Sequence, residues 1–186
     1  MTRGRRAERY PGMGGKLNVI VSAASSGLGK TLLCCAIARR AADAGLSCLC
    51  CKLSRGCHVP AGVHEGPGRE GSDTWRFIGA GASRAAVAGY SEPAELPGLI
   101  RGIRVTEDLA VWESNSASSV IPADFLAYIR SCDPCIEPKN PELALEADLL
   151  LDGPLDESSA ALAADSVFGL ISSRHGRRSL REGSDS

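Results

Sequence analysis

A small, glycine-containing turn between a β-branched segment and an amphipathic helix places the strongest constraint on how this chain folds. Residues 17–22 read Leu-Asn-Val-Ile-Val-Ser, which is typical of a buried strand. From Lys30 to Ala44 apolar residues recur at helical spacing, and Gly45 follows as a stop signal. The turn between the two segments reads Ala24-Ser25-Ser26-Gly27-Leu28-Gly29-Lys30-Thr31. Strand, turn and helix in this order predict the first unit of a parallel α/β sheet.

The turn matches the phosphate-binding pattern G-x-x-x-x-G-K-[ST], with Ala24 in place of the first glycine. Gly27 and Gly29 let the backbone curl so that successive N–H groups point at an anion. We expect the Lys30 ammonium to contact the β- and γ-phosphates of a nucleoside triphosphate, and the Thr31 hydroxyl to ligate Mg²⁺. The predicted nucleotide-binding residues are Ser25, Ser26, Gly27, Leu28, Gly29, Lys30, Thr31 and Leu32.

A magnesium site also needs a carboxylate, and two candidates follow from the pattern. Glu113 ends the apolar run that starts at Leu109, so a parallel sheet would bring it near the phosphate-binding turn. The plainer interpretation of Glu113 is a solvated strand end. Asp73 follows the glycine-rich stretch 54–72, where a mobile segment would close over the γ-phosphate. We therefore predict Thr31, Glu113 and Asp73 as metal ligands, and Lys30, Asp73 and Glu113 as catalytic residues.

Further strand and helix patterns alternate along the chain. Strands are predicted over 46–53, 85–88, 109–112, 125–129 and 148–151, and helices over 73–82, over 91–103 and after Asp156. Because several strands are apolar throughout, the chain is predicted to be an α/β protein with a P-loop NTPase-like, mostly parallel sheet and helices on both faces. Residues 1–15 are predicted to be a disordered leader, 16–172 the nucleotide-binding domain and 173–186 a disordered tail.

Composition excludes two classes of partner. The formal net charge is −1, from 21 basic and 22 acidic residues, and the arginines concentrate at the two ends in stretches that read as tails rather than binding arms. We therefore expect no nucleic-acid partner. No apolar stretch approaches the roughly 20 residues that span a bilayer, and no signal-peptide core follows the N-terminal arginines. The sequence predicts a cytoplasmic protein without a membrane partner.

Eight cysteines are numerous for such a protein. Most lie in predicted helix or strand, so free thiols acting as small apolar side chains are the favoured interpretation. Two alternatives stay open. Cys132 and Cys135 have the spacing of a zinc-ligand pair, and Cys57 with His58 lies in the glycine-rich loop, where transient contact with a cofactor or sulfur-bearing ligand is conceivable.

Beyond the turn, the order of motifs resembles the MobB family, the molybdopterin-guanine dinucleotide biosynthesis adaptor proteins. The resemblance covers about residues 17–153. The motifs that carry it are the turn, Lys52 at the end of the second strand, the loop with His58 and His64, Gly71-Ser72-Asp73-Thr74-Trp75-Arg76, Gly79-Ala80-Gly81-Ala82, the run from Leu109 to Glu113, and residues 147–153. Leu53 stands where the family commonly has His, and Ser114 where it commonly has Gly.

The resemblance implies a GTP-binding accessory protein in molybdenum cofactor biosynthesis, using GTP and Mg²⁺. It further implies at most weak, partner-dependent GTPase activity, a nucleotidyltransferase or molybdoenzyme partner, and a homodimer. No Asn-Lys-x-Asp guanine motif is present, and Lys139-Asn140 is only a faint echo of one. The alternatives are an ATP-dependent ligase of the dethiobiotin-synthetase type and a nucleotide-switched interaction protein for another metallocofactor.

Overall fold

The computed structural model describes residues 16–56 and 59–182, with side chains described as far as Ser173. The predicted leader over 1–15 and the pair Cys57 and His58 lie outside the described residues.

The described chain alternates between strands and helices, as its apolar patterns predict. The strands are β1 (Leu17–Ala23), β2 (Cys48–Arg55), β3 (Gly62–Glu65), β4 (Arg84–Tyr90), β5 (Leu109–Glu113), β6 (Phe125–Ser131) and β7 (Leu149–Gly153). The helices are α1 (Lys30–Asp43), α2 (Asp73–Gly79), α3 (Leu96–Gly102), α4 (Glu142–Glu146) and α5 (Glu157–Glu182). Short 3₁₀ turns lie at Pro93–Glu95 and Ala117–Ser119.

The seven strands form one sheet in the order β3-β4-β2-β5-β1-β6-β7. All neighbouring pairs are parallel except β3 and β4. The connections through α1 and α2 lead towards one edge of the sheet, whereas those through α3 and α4 lead towards the other. Because such crossovers are right-handed, the two sets of helices cover opposite faces. The mostly parallel α/β fold is confirmed, and it is compatible with the P-loop NTPase fold.

The core lies along the central strands. Every residue of β5 is buried, and so is every residue of β1 except Asn18. Trp112 and Tyr128 are the largest of the fully buried side chains. A strand covered on both faces must be apolar throughout, which explains why the runs over 17–23 and 109–112 do not alternate. No helix among the described residues is long and apolar enough to cross a membrane.

Two short elements were not predicted from the sequence. The predicted loop over 54–72 contains β3, a four-residue edge strand that pairs with β4. Helix α4 has only five residues, too few for an apolar helical pattern to be recognised in the sequence. Helix α5, expected from the pattern after Asp156, runs from Glu157 to Glu182.

Candidate functional site

The turn between β1 and α1 has the backbone that a phosphate-binding loop requires. Gly27 and Gly29 have φ angles of 81° and 102°, a region that side chains disfavour. A Cβ on Gly29 would stand 2.9 Å from the Cβ of Leu155, so the turn also lies tightly against the chain that follows β7. Ala24, which departs from the pattern, has no positive φ, and its N–H donates to the Ile129 carbonyl at 2.9 Å. Alanine is therefore tolerated at this position.

Lys30 begins α1 and folds back over the turn, where its Nζ donates to the Ser25 carbonyl at 3.3 Å. Burial lowers the pKa of Lys30, with a further lowering from the nearby Lys52 and Lys139, while Glu113 acts in the opposite direction. Among the described residues, no carboxylate lies within ion-pair distance of this ammonium. A half-buried cation of this kind is placed to bind an anion from solution.

Thr31 contacts the carboxylate at the end of β5. Its Oγ1 donates to Glu113 Oε2 at 2.8 Å, and the Glu113 side chain is only 4% exposed. Strand β5 lies directly beside β1, with Glu113 opposite Val21 in the register. Adjacent parallel strands thus bring together two of the three predicted metal ligands, and Glu113 is a buried group rather than a solvated strand end.

Lys52 connects this pair to the third predicted ligand. It lies opposite Glu113 in the register of β2 and β5. Its Nζ is 2.6 Å from Asp73 Oδ2 and 3.2 Å from Glu113 Oε1. Burial alone would lower the pKa of Lys52, but the two carboxylates outweigh it and raise that pKa. Asp73 and Glu113, the two candidate carboxylates from the sequence, therefore lie in one cluster with Thr31.

The start of α2 holds Asp73 in position. Ser72 caps the helix by accepting the N–H of Trp75 at 3.3 Å, and Thr74 Oγ1 donates to the Pro67 carbonyl at 3.2 Å. Gly68 lies so close that a Cβ there would be 2.6 Å from Thr74 Oγ1. The glycine-rich stretch before α2 is thus partly ordered by side chains that flank Asp73.

The donor set suits Mg²⁺. Thr31, Glu113 and Asp73 offer hydroxyl and carboxylate oxygens, the hard ligands that this ion prefers. A cation, the Lys52 ammonium, is already held between the two carboxylates, so the charge of the cluster favours a positive ion. The chemistry of these side chains is therefore of the kind that suits a magnesium ion.

Asn115 is a site residue that the sequence reasoning missed. Its Oδ1 accepts from Ser22 Oγ at 3.0 Å and from the Ala23 N–H at 3.1 Å, so it fixes the end of β1 just before the turn. Its carbonyl accepts a hydrogen bond from Asn140 Nδ2, and the N–H of Lys139 donates to the Ala24 carbonyl at 2.8 Å. The Lys139-Asn140 segment therefore lies against the phosphate-binding turn. In the sequence, Asn115 is only part of a polar run after a strand, and such a run does not indicate packing against the turn.

Most described cysteines are structural. Cys48 and Cys50 lie with their sulfurs 3.9 Å apart in the core. Burial raises the pKa of Cys35 to about 11 and that of Cys51 to about 12, so these thiols stay protonated near neutrality. Cys132 and Cys135 are exposed. Within the described ranges, no group of three or more His, Cys, Asp or Glu side chains could hold a metal ion on its own.

Comparison with known proteins does not assign the chain to a family. No protein-family model matches the sequence, and a search of curated proteins finds no match. The resemblance to MobB gains no support from these comparisons and rests on the sequence motifs alone.

Proposed function

We propose that the chain binds a nucleoside triphosphate together with Mg²⁺ on the turn over 24–31. The observation that carries the proposal is the half-buried Lys30 ammonium, which folds over a turn with two left-handed glycines and has no carboxylate partner among the described residues. Peptide N–H groups at the start of a long helix, together with one ammonium, form a strong anion site.

The cluster beside the turn supports the choice of a magnesium-bearing polyphosphate over a simple anion. Thr31 would ligate the ion directly, while Glu113 would hold it from the neighbouring strand. Asp73 would complete the oxygen set from α2. Lys30 would bind the outer phosphates and offset the charge that develops there during hydrolysis.

For the finer assignment we propose GTP as the nucleotide and molybdenum cofactor biosynthesis as the setting. This rests on the sequence resemblance of the segment around Asp73, whose carboxylate is part of the cluster. A nucleotidyltransferase or molybdoenzyme partner, a homodimer and slow hydrolysis belong to the same proposal.

Titration with fluorescent GTP and fluorescent ATP, each with Mg²⁺, tests the proposal. We expect saturable binding of GTP by the natural chain and its loss in Lys30→Ala. Lys16→Ala is the matched control, because Lys16 lies at the opposite end of β1 and contacts the Val105 carbonyl. A folded natural chain that binds neither nucleotide would overturn the proposal. Preference for ATP would leave the triphosphate site in place and replace the molybdenum assignment with the ligase alternative.

A further inference from the structure

The Lys52 ammonium lies between the two carboxylates that the proposed function assigns to a metal ion. It lies 2.6 Å from Asp73 Oδ2 and 3.2 Å from Glu113 Oε1, and its side chain is 28% exposed. The second oxygen of Glu113 already accepts from Thr31 at 2.8 Å. Both Glu113 oxygens are therefore engaged by groups of the protein itself.

Mg²⁺ and Lys52 must compete for these oxygens. A metal ligated by Asp73 or Glu113 adds two positive charges beside the ammonium, and like charges at such separations repel strongly in a partly buried site. The same change draws the carboxylates away from Lys52. The two carboxylates therefore cannot bind the Lys52 ammonium and a metal ion at full strength at the same time.

We propose that Lys52 is a displaceable counter-cation that holds Asp73 and Glu113 together in the nucleotide-free protein and keeps free Mg²⁺ off them until a polyphosphate arrives. The inference rests on the proposed function. When the ion comes with a polyphosphate, the added negative charge gives the displaced ammonium a new partner. Lys52 then positions the phosphates from the side opposite Lys30, so that metal without nucleotide binds weakly.

The consequence reaches α2, because Asp73 is its first residue. Trp75 lies in the first turn of that helix and is 43% exposed, whereas Trp112 is 2% exposed in the core. Exchange of the Lys52 contact for a metal contact would change the surroundings of Trp75 but not those of Trp112. Trp75 is thus a built-in fluorescence reporter of the exchange.

Binding of Mn²⁺ without nucleotide, followed by electron paramagnetic resonance, tests the inference. We expect weak binding by the natural chain and binding about tenfold tighter or more in Lys52→Met, since a competing unit charge is removed. Lys52→Arg keeps the charge and should bind as weakly as the natural chain. Lys139→Met is the control for charge alone, because Lys139 is near Lys30 but has no ion pair with a carboxylate of the described residues, and it should show no such gain.

A second measurement follows the natural chain and uses Lys52→Arg only to assign the side-chain signal of Lys52. In the natural chain, Mg²⁺ with GTP should shift the Trp75 emission and the NMR signal of the Lys52 side chain, assigned with Lys52→Arg; Trp75→Phe should lose the emission change. Unchanged Mn²⁺ affinity in a folded Lys52→Met, or an unmoved Lys52 signal at saturating nucleotide, would overturn the inference and leave nucleotide binding intact. Tighter Mn²⁺ binding in Lys52→Met, with no nucleotide binding by the natural chain, would support the displacement and overturn the proposed function alone.

Discussion

Single side chains at this site owe their chemistry to burial at the edge of the sheet. Glu113 is almost fully buried, yet it has both a hydroxyl and an ammonium as partners, so its charge is compensated. Lys30 is in the opposite situation, with a carbonyl as its close partner and burial that lowers its pKa. Under the proposed function this contrast divides the roles: Glu113 would hold a cation, and Lys30 would bind an anion.

Glu113→Gln should separate metal binding from folding. The amide still accepts from Thr31, and Lys52 keeps Asp73, so we expect the free energy of unfolding to fall by less than about 2 kcal/mol. The gain in nucleotide affinity that Mg²⁺ provides should drop by about 10- to 100-fold. Nucleotide titrations with Mg²⁺ and with a chelator measure the two affinities whose ratio is this gain.

Glu107→Gln is the matched control for that variant. Glu107 is also buried and paired, accepting from Arg84 Nη1 at 3.0 Å, but it precedes β5 at the other edge of the sheet. It should lower stability without changing the Mg²⁺ dependence. Equal loss of that dependence in both variants would contradict a specific role for Glu113.

Elements differ in how much of them a sequence can predict. The unit β1-turn-α1 was predicted almost to the residue, because a β-branched run, two glycines and a long amphipathic pattern all indicate the same structure. Strand β3 was not, since four residues that are half-buried or exposed leave no apolar pattern. Short elements of this kind are specified by their neighbours rather than by their own sequence.

The same distinction applies to the candidate site. Thr31 and Glu113 could be predicted to meet, because the carboxyl ends of parallel strands share one edge of a sheet. Asn115 could not, because its contacts with Ser22 and Ala23 depend on how the loop after β5 bends. Lys52 was visible as a strand-ending residue, but its bridge between two carboxylates needs the register of β2 on β5.

Gly29→Ala tests the tight junction between the turn and the chain after β7. The left-handed φ costs about 1 kcal/mol for a non-glycine residue, and the close approach to Leu155 adds strain. We expect a loss of unfolding free energy of about 2 kcal/mol or more together with loss of nucleotide binding. Chemical denaturation measures the first quantity and titration the second.

Gly45→Ala provides the comparison. Gly45 also has a positive φ, 72°, but a Cβ there meets nothing within 4 Å, and it lies after the C-terminus of α1. In Gly45→Ala the free energy of unfolding should fall only by the cost of the left-handed backbone, and nucleotide binding should be fully kept. If the two variants lost equal stability, the contact with Leu155 would not constrain the turn.

Across the whole molecule, stability is expected to decrease from the central strands towards β3. Strands β1 and β5 are buried and paired on both sides, whereas β3 pairs only with β4 and has no buried residue. The candidate site lies at the carboxyl edge of the most stable strands. Asp73, which follows the glycine-rich stretch, joins the site from a less protected segment.

Hydrogen exchange should therefore show two patterns in one experiment. Without ligand, amides of β1 and β5 should exchange last and those of β3 first, because exchange of a buried central strand requires global opening. Mg²⁺ with GTP should slow exchange in residues 24–31 and 66–76 by about tenfold or more, since a ligand that binds only the folded site lowers the open population. Exchange in the stretch between β3 and α2 should slow only if Asp73 is part of the binding site. Helix α3, which covers the opposite face of the sheet from α1, should keep its rates; slowing there to the same extent would indicate general tightening instead of binding at the turn.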